Sequence, residues 1–584
     1  MKGRFAFVCT ILICIFAAAS LSAQSEWTIM VYMNADNDMD KFAVKDMNLI
    51  EAASFSSNKV NVVVQIDRSQ FGTWKTCRRY EMKHDTDPSK IGSKLLDDMG
   101  EVNMGSAVTL RKFALWAAGK YPAKKYCLVI YGHGSGYLGF SRDYTGETPG
   151  FQQKILLDQY LSTELNTIKT KLGKKIDLIL FHSCVMGMWE VMQFFQDYAF
   201  YCTVSEDDIT QIEYTAFLNK LNANPSASAL NLGTYIVNSN VKENTLSLIE
   251  MSKLGPVTNC VNRFALALVR GRSEGYDTKI KAAFNSTIRF SDPTKFSYYI
   301  DLRDYAKHVQ NDMSLPYHLR TAAKDIQDAV AKAVKVKKNA AKLKDAGGIS
   351  IYHCKFDASD YDTKYYAQLD ITQKLFWGDY LNRKKVPNYD LGVPKFTYWE
   401  PAAKPTGLSG DNASVSVNLP FLFSFYGPNY LPGHNSSCGE NYTKVNICTN
   451  GFLSFDGKST ISNPSILPDM TSPNAIIAGL WRDMIVDAKA SVTYASSKEK
   501  FVVSWNNVRN NKNNNRQTFQ IVLYPNGTFK IQLKSLTNDV PSAIGIENLS
   551  GTLGISCGRP DDYLSGATPQ LVTLIFTPPA SWFY

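Results

Sequence analysis

Beyond its amino-terminal stretch this 584-residue chain has no apolar run long enough to cross a bilayer, so no transmembrane anchor is expected. Histidine is scarce, seven in all, and no cysteines and histidines fall at zinc-ligand spacing. Cys127, Cys202, Cys260 and Cys354 each stand alone in apolar or mixed runs, which argues against a zinc site. An excess of one charge is missing too. The 63 Lys and Arg exceed the 53 Asp and Glu by ten, spread along the chain, so nucleic acid is not an expected partner. The densest cluster, Lys332 to Lys344, reads as a surface helix with a solvated face. Nor does the composition suggest wholesale disorder: 45% hydrophobic content over this length supports two or three domains with real cores.

What the chain does have begins at its start. Lys2 and Arg4 precede the apolar run Phe5 to Ala19, and small residues follow through Ser22 and Ala23, the pattern of a secretory signal cut after Ala23. Ile13 is too bulky for a lipoprotein processing site at Cys14. The mature protein is therefore expected to be secreted, periplasmic or at the cell surface. Of eleven cysteines, Cys9 and Cys14 leave with the signal, and the odd number remaining leaves at least one thiol unpaired if the others pair. Cys438 and Cys448 flank a segment they could close into a loop.

Two strand-end motifs carry the chemistry. Tyr126-Cys-Leu-Val-Ile-Tyr131 runs into Gly132-His133-Gly134-Ser135-Gly136, and Asp177-Leu-Ile-Leu-Phe181 runs into His182-Ser183-Cys184. An apolar run that stops at a base or nucleophile is how an open parallel sheet presents reactive groups at the carboxyl ends of its strands. A thiol needs least help as a nucleophile near neutral pH, and imidazole is best poised to take its proton and return it to a leaving amine. The glycines beside His133 permit close backbone approach, and the Gly134 amide is free to face a developing oxyanion. The apolar run Val185 to Phe195 suits a buried helix, which would set Cys184 at a helix N-terminus and lower its pKa. Ser135 is no nucleophile elbow, because its glycines sit one residue away on either side instead of two.

With Trp27-Thr-Ile-Met-Val-Tyr-Met-Asn34-Ala-Asp36-Asn-Asp38 near the start, these motifs resemble the clostripain family of cysteine endopeptidases over roughly residues 26 to 390. The resemblance implies a caspase-like fold, protein or peptide substrates, His133 as catalytic histidine, Cys184 as nucleophile and Gly134 as an oxyanion donor. Family members usually carry an Asp two residues before the cysteine, in a pocket for Arg or Lys; here that position is His182. The family also places an acidic pocket residue after the next strand, and Phe200 to Val204 is followed by Ser205-Glu206-Asp207-Asp208. Glu206 or Asp207 would meet a basic side chain by a charge-assisted hydrogen bond, so a weakened preference for basic P1 residues is expected.

The string Asp36-Asn37-Asp38-Met39-Asp40 imitates the opening of a calcium loop. Lys41 at the glycine place and Met47 at the closing glutamate place exclude an ordinary calcium hand. It is read as a strand-to-helix turn in which one residue caps the helix. No resident cofactor is expected, with calcium dependence through a looser carboxylate site left open because some family members depend on it. The polar segment Phe140 to Gln153 reads as an exposed loop that self-cleavage could cut after Lys154 or Arg142.

The fold class expected is α/β: a mainly parallel, caspase-like sheet with helices on both faces over residues 24–395, from the alternation of strands and helices. Residues 396–404 read as a linker. An all-β sandwich is expected over 405–584, where Pro525-Asn526-Gly527 marks a hairpin and Asn506 to Asn515 an extended hairpin loop. Thr449 to Phe455, Gly479 to Asp483 and Ile544 to Asn548 are similar to nidogen-like β domains, implying an adhesive or targeting role toward a surface or carbohydrate ligand. The alternative function is a surface-binding protein on an inactive peptidase scaffold, with His182 as its main support.

Overall fold

A computed structural model describes residues 24–584 except 56–57, 71, 145–152, 241–244, 291–298, 357, 397, 428–438, 538–539, 558–570 and 580–584. The expected signal and Cys438 lie outside the described residues.

The first half forms one large sheet and two small strand pairs. Its strands are β1 (Ser25–Ala35), β2 (Val60–Arg68), β3 (Arg78–Glu81), β4 (Lys94–Asp98), β5 (Ala123–Tyr131), β6 (Phe140–Asp143), β7 (Gln153–Ile155), β8 (Ile176–His182), β9 (Ala199–Val204), β10 (Leu246–Glu250), β11 (Tyr299–Asp301), β12 (Val334–Lys338) and β13 (Ser350–Tyr352). Among the described residues the sheet runs β12-β10-β9-β8-β5-β1-β2-β3-β4. The five central strands are parallel and the edges turn antiparallel.

Residues 27 to 35 of β1 are all buried, because helices cover both faces. Alternate residues serve alternate layers. Ile29, Val31 and Met33 pack with α1 (Asp40–Glu51), α5 (Tyr214–Ala223) and α6 (Ala229–Ser239); Met30 and Tyr32 pack toward α2 (Ala107–Lys120), α3 (Gln159–Leu172), α4 (Trp189–Phe195) and α7 (Leu254–Ser273).

The lysine-rich stretch differs from the helix expected of it. The helix Tyr317–Ala333 ends before it, and Val334–Lys338 becomes the sheet's edge strand β12. A Val-Lys-Val-Lys-Lys sequence fits there, since lysines on an open edge discourage pairing with another chain. Lys335 pairs with Glu250 at 3.1 Å.

The second half is two antiparallel sheets face to face. One joins Val572–Thr577, Phe529–Ser535, Arg516–Leu523, Phe501–Asn510 and Met484–Val486; the other joins Ser414–Phe425, Glu440–Cys448, Phe452–Ser454, Ile476–Trp481, Ala543–Glu547 and Gly554–Ser556. The Trp505 indole reaches between the layers to donate to the Cys448 carbonyl at 2.9 Å. The expected hairpin forms at Pro525 to Gly527, with Gly527 at φ 77°. The asparagine-rich run is less of a loop than expected. Its first half continues the strand to Asn510, with Asn507 at φ 55° where the register shifts between Trp505 and Val508.

The chain joins this sandwich earlier than residue 405. β14 (Asp390–Gly392) pairs with Thr577–Ile575, and Lys404–Pro405 pairs with Tyr494 and Thr493, so both ends of the stretch read as a linker are flanked by strands of the sandwich.

The two halves meet at α7. Asn259 donates to Asp469 at 2.7 Å, Arg263 to the carbonyls of Ile466 and Pro468 at 3.2 and 3.3 Å, and Asn262 to the Thr552 carbonyl. The Asn262 carbonyl also accepts from the Phe376 amide at 2.9 Å, so one buried side chain satisfies two backbone groups. Losing either of these two bonds should cost about 1–3 kcal/mol. Asn262→Ala is therefore expected to lower the thermal midpoint by several degrees; an unchanged melting curve would show that this junction does not hold the halves together.

Candidate active site

Strand pairing sets the geometry. β5 and β8 are parallel neighbours with Tyr131 opposite His182, and the Gly132 amide donates to the His182 carbonyl at 3.3 Å. His133 and Cys184 each lie two residues past that last pair, so they emerge side by side at the carboxyl edge of the sheet. Gly134 lies against the cysteine. A Cβ there would sit 2.2 Å from the Cys184 carbonyl and 3.0 Å from its amide nitrogen. Among the described residues the Gly134 amide makes no hydrogen bond.

His133 is held from two sides. Its Nε2 lies 2.6 Å from Asp38 Oδ1, and its ring stacks on Tyr144 at 6.5 Å between centroids and 11° between planes. The imidazole in turn lowers the Asp38 pKa. Asp38 is therefore no helix cap, and α1 begins without a side-chain cap. The acidic string divides its labour instead: Asn37 bonds the Met39 amide and the Arg142 carbonyl, each at 2.9 Å, and Asp40 takes Arg68 in two bonds of 2.7 Å.

Cys184 does not sit at a helix N-terminus, contrary to the sequence reading. Val185 takes φ 53°, and Gly187 is clamped between the Ser205 carbonyl at 2.7 Å and the Ser350 amide at 2.9 Å, so α4 starts only at Trp189. No helix dipole lowers the thiol pKa. Burial pushes it up to about 12, Asp208 and Asp207 add to the rise, and the Ile209 amide, 3.4 Å from the sulfur, opposes it.

The other expected residues separate. His182 is buried, 3.0 Å from the Tyr214 hydroxyl and edge-on to Tyr131; burial pulls its pKa down to about 3, which leaves it neutral. Glu206 is also buried, accepts from the Gly348 amide at 2.9 Å and shares a hydrogen bond with Asp301. Both point into the protein. Asp207 stays near the thiol, joined there by Asp208, whose carboxylate hydrogen-bonds the thiol. Asp38, Tyr144 and Asp208 escaped the sequence reading. Their only signal was adjacency to the motifs, which does not say which acid in an acidic string turns inward.

A family model described as the clostripain family matches residues 31–388, well over half of the chain. The chain belongs to the clostripain family. A second model, described as NIDO related, matches residues 388–571 and coincides with the sandwich. Clostripain of Hathewaya histolytica is 25% identical over 183 residues, covering 28% of this chain and 35% of that protein, so the match spans about a third of that relative's length. Among solved structures, a secreted C11 cysteine protease of Bacteroides thetaiotaomicron bound to an irreversible peptide inhibitor is 18% identical, covering 61% of this chain and 99% of its own, with a TM-score of 0.45. An inactive zymogen C11 protease of Parabacteroides distasonis is likewise 18% identical over 61% and 98%, with a TM-score of 0.43. The sheet with its helical layers is the caspase-like arrangement of that family.

In this clostripain-family site, Gly134→Ala drives a methyl group into the Cys184 backbone and should reduce turnover at least about a hundredfold. Asp38→Ala should lower kcat about tenfold with little change in KM or thermal midpoint, with part recovered in Asp38→Glu. Steady-state kinetics beside melting curves checks both; equal losses of kcat and of folded protein would show that Asp38 acts only structurally.

Proposed function

We propose that this chain is an exported cysteine endopeptidase in which Cys184 attacks the scissile carbonyl, His133 takes the thiol proton and passes it to the leaving amine, and water resolves the acyl-enzyme. The observation that carries this reading is the parallel pairing of β5 with β8, which seats an Asp38-steered imidazole beside a thiol at one sheet edge. Gly134 supplies an amide to the oxyanion of the tetrahedral intermediate.

The resting thiol is not pre-ionised. With a pKa near 12, making the thiolate at pH 7 without a proton acceptor costs roughly 7 kcal/mol. His133 bonds Asp38 and the sulfur contacts Ile209, so proton transfer requires the 207–209 segment to give way as substrate enters. Alkylation of Cys184 by a small reagent such as iodoacetamide should therefore be slow at pH 7 and still rising above pH 9, while a peptide-directed electrophile labels it much faster. A labelling rate that levels off below pH 7 would mean a preformed thiolate and overturn this account.

Specificity follows from the local charge. His182 is neutral and Glu206 is engaged elsewhere, so the preference for Arg or Lys at P1 rests on Asp207 and Asp208 and is weaker than a buried acidic pocket would give. Fluorogenic peptides with Arg, Lys, Leu or Asp at P1, tested on the mature chain and on Cys184→Ala, are the direct test. Basic substrates should turn over several-fold faster than Leu, Asp207→Asn with Asp208→Asn should erase that margin, and Cys184→Ala should be inactive. Equal turnover of Arg, Lys and Leu would refute the P1 preference. Absence of any turnover, even after limited proteolysis of the 140–153 segment, would favour the surface-binding reading in which the sandwich does the work.

A further inference from the structure

Strand β11 lies outside the main sheet, yet its side chains reach segments on both sides of the dyad. It pairs antiparallel with β13, Tyr299 opposite Tyr352 and Asp301 opposite Ser350. Residues two apart in a strand share a face. From that face of β11 the Tyr299 hydroxyl donates to the Ser135 carbonyl at 2.9 Å, and the Asp301 carboxyl shares a hydrogen bond with Glu206, the neighbour of Asp207. From β13 the Ser350 amide donates to the Gly187 carbonyl at 2.9 Å, in the segment that follows Cys184.

The segment that Tyr299 holds carries the Gly134 amide. Residues 133 to 141 fold back on themselves, the Ser141 amide donating to the His133 carbonyl at 2.8 Å and the Ser135 amide to the Gly139 carbonyl at 2.9 Å. Gly134 sits opposite Phe140 between those two bonds, the position in an antiparallel pair where the amide points away from the partner strand. The turn therefore leaves this amide to another acceptor, and its direction is set by the peptide groups on either side. Ser141 fixes the peptide before it. After it, the Ser135 carbonyl takes the Leu138 amide at 3.1 Å from within the turn and the Tyr299 hydroxyl from outside. Of these bonds, the one from Tyr299 alone ties the turn to a different part of the chain.

We propose, resting on the peptidase reading of Cys184 and Gly134, that Tyr299 is a positioning residue whose hydroxyl, through the Ser135 carbonyl, aims the Gly134 amide at the oxyanion of the tetrahedral intermediate. Packing holds that hydroxyl still. Tyr299 is buried, its ring meets Tyr137 edge-on at 6.0 Å between centroids, and a Cβ on Gly136 would sit 3.3 Å from its Cε2 and Cζ. Burial also lifts its pKa well above the usual phenol range, so it keeps its proton and stays a donor. A donor fixed in advance stabilises charge that develops only in the transition state, so losing its aim falls on kcat and spares KM.

Tyr299→Phe in the mature chain removes only the hydroxyl and tests this. Turnover of the best fluorogenic peptide should fall about tenfold in kcat, less than for outright loss of an oxyanion donor, with KM within about twofold. A peptide aldehyde adds the thiol across its C=O bond, the thiol proton passing to the new oxygen, and should bind about tenfold more weakly. Alkylation of Cys184 by iodoacetamide at pH 9 forms an S–C bond as iodide leaves and builds no such oxygen, so its rate should be unchanged. Tyr352→Phe is the control: that tyrosine lies opposite Tyr299, but its hydroxyl donates to the Asp360 carbonyl at 3.2 Å, and kcat and aldehyde affinity should stay at the wild-type level. Wild-type kcat and aldehyde affinity in Tyr299→Phe would overturn the proposal. So would an equal loss in Tyr352→Phe, or a matching loss in the iodoacetamide rate, either of which would mark Tyr299 as merely structural. A wild-type chain that neither cleaves the peptides nor takes up the aldehyde would overturn the peptidase reading itself, and this inference with it.

Discussion

The register between β5 and β8 is the constraint on which the rest of the site depends. A slip of one residue would turn His133 or Cys184 to the opposite face of the sheet, because side chains alternate along a strand. The register is pinned by burial: Leu128, Val129 and Ile130 pair with Ile179, Leu180 and Phe181, all without exposed surface, so a slip would set each against the wrong helical layer. The close approach of Gly134 to Cys184 is a consequence of that pairing. Only a residue without Cβ lets the two strand ends converge there.

The carboxyl edge of the sheet also collects acids, and their fates differ by the partner each finds. Asp38 meets an imidazole, and its pKa falls. Glu206 meets a backbone amide and another buried carboxyl, which locks the end of β9 to the Gly347–Gly348 turn. Asp207 and Asp208 remain beside the thiol, where their charge opposes ionisation of the nucleophile. Burial is the larger cause of the raised thiol pKa, and these two carboxylates add to it.

Much of this was legible in the sequence because it depends on local pattern. The five central strands stood out as apolar runs, and their alternation with helical periods implied a parallel sheet covered on both faces. The hairpin at Asn526-Gly527 followed from turn chemistry. What was not legible depends on long-range partners. Val185 to Phe195 is apolar enough for one helix, but its first turns are pulled out by Gly187 bonding to Ser205 and Ser350, residues far away in sequence. Lys332 to Lys344 looked helical by composition, yet the sheet lacked an edge and the segment filled it. His182 and Glu206 were assigned by position in a motif, and position alone does not tell whether a side chain faces a cleft or a tyrosine.

The accessory sandwich is continuous with this machinery rather than tethered to it. Asp469 and Thr552 engage α7 through Asn259 and Asn262, and from the same helix Thr258 accepts from the Trp189 indole at 3.2 Å. Trp189 opens α4, the helix that follows the Cys184 to Met188 segment. One hydrogen-bonded path thus leads from the sandwich across α7 to the backbone behind the nucleophile, within a continuous apolar cluster that includes Phe264, Trp377, Leu553 and Ile555. Burial on both sides keeps this path close-packed behind the short segment after β8 that carries Cys184. The sandwich thus packs against the first half through α7, and the chain enters it at β14, after the helix Trp377–Leu381.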